Sequence, residues 1–309
     1  MGRTLRRAVW SGLGAGVVMV ALVLSLGLWM PTGAQEASPQ PFRYRFEPNQ
    51  QSRYRVSAQM SGTLPLFGGL PVEKVVLNMT VVMKVRGVRA DGNAELGIDI
   101  SAFQAEMDGQ TLPLPLDRLR ASVRDLVYVV NPQGEVLERK GAGVLPFNLP
   151  IPGVEASQLP LLALQLVFPK EPVTAGQEWR YTRAMSTAPG DPPADFSAQW
   201  VKDEPVNGIS TSLFKQKMRW SRSFKADIFD LPTTDESLMV KQIDQRVTGE
   251  AQIWFDRAGG GLLKAVIDAR FEQQTRLLNP SEGTSVPAPV HLIAKVQITR
   301  EDETKPTGT

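Results

Sequence analysis

The sequence predicts a mainly β protein of the α+β class: a large curved antiparallel sheet, or half-barrel, of long hairpins packed on one apolar helix. Three observations carry this. A long hairpin spans 75–102, where Val75, Leu77, Met79, Val81, Met83 and Val85 alternate with mostly polar neighbours and Ala94, Leu96, Ile98 and Ile100 continue the pattern beyond a turn. A period of two marks strands with one buried face. A second long pair, 239–256 and 262–277, flanks the turn Arg257-Ala258-Gly259-Gly260-Gly261. Between these regions, 157–168 is the one good helix candidate.

The first 34 residues read as a leader. Arg3, Arg6 and Arg7 form a basic start, 12–30 is an uncharged apolar run, and Thr32-Gly33-Ala34 offers a cut before Gln35. The run is close to the ~20 residues that span a bilayer, so both a cleaved signal peptide and an N-terminal anchor are open. Both place the folded part outside the cytoplasm, periplasmic or extracellular, in the anchored case tethered by 12–30. The remainder, 35–300, is expected to be a single β-rich domain, or two pseudo-repeated halves (42–156 and 170–300) joined by helix 157–168. Residues 301–309 are polar and should fray.

Along the chain, 42–47 and 53–60 are short aromatic strands. The hairpin at Ala90-Asp91-Gly92-Asn93 suits a two-residue type I′ loop, which would pair Val85 with Ile98, Met83 with Ile100 and Val81 with Ala102. A second hairpin runs from 119–130 through Asn131-Pro132-Gln133-Gly134, with Gly at the left-handed position, into 135–139. In 157–168, Ser157 can cap, Pro160 is tolerated in the first turn, and Pro169 stops the helix. After it come strands carrying Trp179 and Tyr181; Phe196, Ala198 and Trp200; and Phe214, Met218, Trp220 and Phe224. The next hairpin should oppose Phe255 to Leu263, Ile253 to Ala265, Ala251 to Ile267 and Val247 to Phe271. Helical spacing of Met239, Ile243 and Val247 is a weaker alternative for 236–247. The last strand, 290–298, turns Val290, Leu292, Ala294, Val296 and Ile298 inward.

The motif Asn131-Pro132-Gln133-Gly134-Glu135-Val136-Leu137, the apolar stretch ending Phe168-Pro169, the run 172–179 (Pro-Val-Thr-Ala-Gly-Gln-Glu-Trp) and Trp254-Phe255-Asp256 before Gly260-Gly261-Leu262 carry a resemblance. The chain resembles a family of exported bacterial β-rich proteins of unassigned activity, themselves similar to lipoprotein-carrier-like envelope proteins. The resemblance covers nearly all of the chain beyond the leader. It implies one large curved sheet wrapped around a helical element, and no activity. The chain departs from lipid-modified envelope proteins by having no cysteine.

Composition narrows the function classes. With 0 Cys there are no disulfides, thiolate metal sites or cysteine nucleophiles. The net charge of +2 includes three leader arginines, so the remainder is close to neutral and does not fit nucleic acid as a partner. The single histidine, His291, sits mid-strand opposite the Val290/Leu292 face and no G-x-S-x-G occurs, so a Ser/His/Asp triad is not supported. No phosphate loop, dinucleotide fingerprint or spaced calcium loop is present, and neither a metal nor a cofactor is expected.

Three Leu/Pro-rich loops, 64–71, 112–116 and 144–152, remain. Proline cannot complete a strand ladder, so these belong at sheet ends. There Leu66, Phe67, Leu114, Phe147, Leu149 and Ile151 form either a lid on the sheet's own core or the mouth of an apolar binding site. The expected function is an exported envelope protein that binds or carries an apolar ligand, a lipid or acyl chain, without enzymatic activity. The alternative is a structural module that docks an envelope protein. A hydrolase with an unrecognised carboxylate pair comes third.

Overall fold

The computed structural model describes residues 41–63, 71–113, 115–141, 162–185, 190–227, 240–277 and 289–301. They form one 12-stranded antiparallel sheet. Its strands are β1 (Gln51–Thr63), β2 (Pro71–Val88), β3 (Ala94–Met107), β4 (Gln110–Leu112), β5 (Val127–Val130), β6 (Val136–Lys140), β7 (Glu178–Arg183), β8 (Ala194–Val206), β9 (Ile209–Asp227), β10 (Val240–Asp256), β11 (Gly261–Leu277) and β12 (Val290–Glu301). The order is β6-β5-β3-β2-β1-β12-β11-β10-β9-β8-β7, with β4 added to β3. The last strand pairs with the first, Val56 opposite Ile298 and Met60 opposite Ala294, which makes two meanders continuous.

The alternation read from the sequence is realised. Val75, Leu77, Met79, Val81, Met83 and Val85 are all buried, as are Val290, Leu292, Ala294, Val296 and Ile298. The β2–β3 register, however, is two residues from the expected one: Val85 pairs with Leu96, Met83 with Ile98 and Val81 with Ile100. The connection is longer than a two-residue loop. Arg89 N–H donates to Asn93 O, Gly92 N–H to Arg89 O, and only Gly92 has positive φ, at +83°, where a type I′ turn needs two such residues. A slip of two keeps every side chain on its face. An extra residue on β3 between Ile100 and Ala102 then reverses the phase. Ala102, expected inward, is exposed, and Ala105 turns inward and is buried.

The β10–β11 register agrees at Ile253–Ala265, Ala251–Ile267 and Val247–Phe271. A bulge then sets Phe255 against Leu262 rather than Leu263. Residues 240–247 are strand, not helix.

Three segments depart from expectation. Residues 42–46 are not a strand. Residues 119–123, expected to begin the strand 119–130, instead belong to α1 (Leu116–Val123), the only helix of this length among the described residues, with Leu119 and Val123 buried one turn apart. The expected helix 157–168 is not helical where it is described. Leu162 and Ala163 make one 3₁₀ turn, and 164–169 has no regular structure.

The physical reason is a set of distant partners for the backbone of 164–168. Tyr181 Oη and Gln216 Nε2 donate to Gln165 O at 3.2 and 2.8 Å. Leu166 N–H donates to Tyr44 Oη, Trp179 Nε1 donates to Val167 O, and Phe168 N–H donates to Gln133 O. Buried backbone groups must be paired, and side chains here supply what a helix would otherwise supply internally. Residues 42–46 form a second strap: Tyr44 N–H donates to Pro132 O and Arg45 N–H to Gly260 O. The 131–134 turn and β7–β9 stand at opposite ends of the strand order, so straps touching both require the sheet to curl round them.

Candidate apolar ligand face

The face that meets the straps is the inner face. Near the β10–β11 turn it is filled by an aromatic cluster. Phe168 lies 4.9 Å from Phe255, 5.7 Å from Phe214 and 5.6 Å from both Phe42 and Tyr44, measured between ring centres.

Further along the strands the filling changes. Register places inner residues in rows across the sheet. One bulky row is Trp200, Phe214, Ile253, Ala265, Ile298 and Val56. A second is Trp220, Val247, Phe271 and Leu292. Between them run two rows rich in small side chains: Ala198, Gln216, Ala251, Ile267, Val296 and Ala58; then Phe196, Met218, Gly249, Ala269, Ala294 and Met60. In the bulky rows these residues are buried, whereas Met218, Gly249, Ile267 and Ala269 are only half-buried. The result is a shallow apolar trough across β9, β10 and β11. At Gly249 an added Cβ would meet Asp268 O and Met218 Cε at 3.6 Å and Ala269 Cβ at 3.9 Å, ordinary contact distances, so a side chain can start there without a clash.

Beyond the second bulky row, the same face carries a polar ladder. Arg222 Nη1 donates to Asp191 Oδ2 at 2.6 Å, Arg222 Nε to Gln245 Oε1 at 2.7 Å, and Gln245 Nε2 to Gln273 Oε1 at 2.7 Å. Arg222 also lies over Trp220 and Phe224, 5.2 and 4.7 Å from their ring centres.

The outer face differs. A depression of about 460 Å³ there is lined by Glu178, Lys215, Lys217, Glu250 and Asp268 among others. Its Lys217–Glu250 pair, 4.0 Å apart, is largely exposed and so worth little. His291 lies exposed on the outer face opposite Glu272, as its sequence position implied. Among the described residues, no group of three or more His, Cys, Asp or Glu could hold a metal ion.

The tyrosines that meet the straps and the core titrate abnormally. Burial pushes the Tyr54 phenol up to about 12, and pushes Tyr44 further above its ordinary range. The native protein therefore keeps protons that the unfolded chain releases near pH ~10. Their contribution is whole below that pH and is lost as pH rises toward the folded values, at about 1.4 kcal/mol per pH unit for each tyrosine. Denaturant midpoints should fall steeply above pH ~10. Tyrosinate absorbance showing Tyr44 and Tyr54 ionising in the native protein at the free-phenol value would contradict this.

Leu66, Phe67, Leu114, Phe147, Leu149 and Ile151 all lie outside the described residues, as do 64–70 and 144–152; of the loop 112–116, Leu112 ends β4 and Leu116 begins α1. The trough residues escaped the sequence reading. Met218 and Ala269 are visible there only as inward positions, and Gly249 as a gap in a strand. Their convergence depends on the register of β9, β10 and β11.

No family model matches the chain, and no curated protein matches it. A solved structure described as "Lipid-protein interactions in lipovitellin" is similar over 86% of this chain and 26% of that one, with 13% sequence identity and a TM-score of 0.45. The chain thus spans about a quarter of that structure's length, and a similarity at this level carries no functional argument. Of the resemblance to exported β-rich proteins, what stands is the large antiparallel sheet; no family membership is shown.

Proposed function

We propose that the protein is an exported, non-enzymatic binder of an apolar ligand, a lipid or acyl chain, that lies in the inner trough. The observation that supports it is the half-buried strip Met218, Gly249, Ile267 and Ala269 between two fully buried rows. Apolar side chains at a hollow, away from the packed cluster, gain about 25 cal/mol per Å² when a ligand covers them. The three Leu/Pro-rich loops, with Leu66, Phe67, Leu114, Phe147, Leu149 and Ile151, belong to this reading as its mouth. The basic and apolar leader is its route of export, and N-terminal sequencing of the mature protein should begin at Gln35 or, for an anchored form, near Met1.

Native mass spectrometry with organic extraction of protein from a membrane-containing host tests the reading. A stoichiometric lipid is expected. Gly249→Phe raises a ring into the trough from a position of ordinary backbone conformation, and strand glycine is weak by about 0.5–1 kcal/mol, so the fold should persist or gain stability. Ligand should then be lost with the circular dichroism unchanged. A clean apo mass after incubation with lipids, or full occupancy in Gly249→Phe, would sink the proposal.

A further inference from the structure

β7 ends at Arg183, on the same face as Trp179 and Tyr181. Its guanidinium lies 6.0 Å from the Tyr181 ring centre and 5.8 Å from that of Phe196. Its charge is also felt at the hydroxyl of Tyr44, on the strap inside the curl. The head of this side chain therefore points into the fold. Its Nη2 is buried and has no hydrogen-bond partner, and no acid among the described residues is ion-paired with it.

Arg222 provides the contrast. It lies on the same face and also over aromatic rings, yet Asp191 and Gln245 answer it. Arg183 is half-buried, and the ring faces of Tyr181 and Phe196 replace only part of the hydration that its buried Nη2 gives up. An anion beside Arg183 would supply the missing partner, with the strength of a charge-assisted hydrogen bond.

Register then connects this corner to the trough. Arg183 pairs with Ala194; one row away, Tyr181 pairs with Phe196, Phe196 with Met218, Met218 with Gly249, and Gly249 with Ala269. From β7 to β11 is four strand spacings, about 19 Å, a span suited to an extended chain crossing the strands. We propose that Arg183 receives the anionic head, a carboxylate or phosphate, of an amphipathic ligand whose apolar chain lies along the trough. This rests on the apolar-ligand reading and adds the chemical class of the ligand to it. Phe196 and Tyr181, stacked with ring centres 5.0 Å apart, form the floor between head and chain.

The test measures binding to the full chain of three probes of equal chain length: a fatty acid, a lysophosphatidic acid and the neutral fatty alcohol. The protein should prefer at least one anionic probe to the alcohol by about tenfold or more. Arg183→Met, which keeps the stem over the two rings, should bring the anions down to the level of the alcohol, and Arg183→Lys should restore much of the preference. The tighter anionic probe identifies the head group. Binding of both anionic probes no tighter than the alcohol by the unaltered protein would overturn the head-group proposal and leave the apolar-ligand reading standing. So would a preference that survives Arg183→Met, or a variant that weakens all three probes alike. Binding of none of them overturns both.

Discussion

Replacing Phe168 by Ala should lower the free energy of unfolding by about 3–5 kcal/mol, the range for deleting a buried aromatic ring. The side chain is 3% exposed, and its ring touches the other strap and three strands: Phe42 and Tyr44 on one side, Trp179, Phe214 and Phe255 on the other. Its backbone N–H reaches across to Gln133 O, so the residue sits where the two ends of the sheet are tied. The surrounding groups belong to different strands and cannot collapse together into the void, which puts the cost toward the upper end. Phe168→Leu should recover part of it. Urea unfolding monitored by tryptophan fluorescence reads the change directly, and a loss below about 1 kcal/mol would mean that the cluster is not the packing centre of the fold.

The second large effect is expected at Gly134. Its φ is +90°, and an added Cβ would stand 2.5 Å from Leu166 O and 2.5 Å from Tyr44 Cε2. Neither neighbour can yield easily, since Leu166 is held by its N–H bond to Tyr44 and Phe168, two residues on, is bonded to Gln133. Gly208 provides the control: its φ is +82°, with nothing within 4 Å of the added atom. Gly208→Ala should cost only the left-handed backbone penalty, about 1–2 kcal/mol. Gly134→Ala should cost that and the displaced strap, about 3 kcal/mol or more in total. Equal losses at the two positions would show that the turn does not support the strap.

Much of the sheet is legible in the chain because a strand's period of two is a local signal. The inward sets of β2, β9, β10 and β12 need only the hydrophobic alternation, and His291 is placed on the outer face by the same count. Turn chemistry is local too: at Asn131-Pro132-Gln133-Gly134, Asn131 Oδ1 accepts from the N–H groups of Gln133 and Glu135, and Gly134 takes positive φ. Registers were less secure. Parity is specified by burial, but a slip of two residues preserves parity, and the five-residue connection 89–93 decided between registers that share it.

The apolar run 161–168 marks the limit of such reading. Apolar content and a preceding Ser and Pro are compatible with a helix, and only Tyr44, Trp179, Tyr181 and Gln216, remote in sequence, make an irregular path satisfiable. In α1 the opposite occurs: Leu116, Leu119 and Val123 have helical spacing, but 119–123 leads into Val127-Tyr128-Val129-Val130, which has strand composition, so 119–130 reads as one strand. The six loop residues expected at a mouth were singled out by composition, and composition cannot say where a side chain points.

By itself, then, the sequence determined a cysteine-free, mainly antiparallel protein with one apolar face per strand, because alternation, turn residues and composition act over a few neighbouring positions. Only the tertiary structure decided that Met218, Gly249, Ile267 and Ala269 share one half-buried strip, that Arg183 Nη2 is buried without a hydrogen-bond partner, and that 164–168 is a strap rather than a helix. Each of these depends on which distant strand lies alongside, and that is settled by register and by the pairing of buried polar groups across the whole sheet.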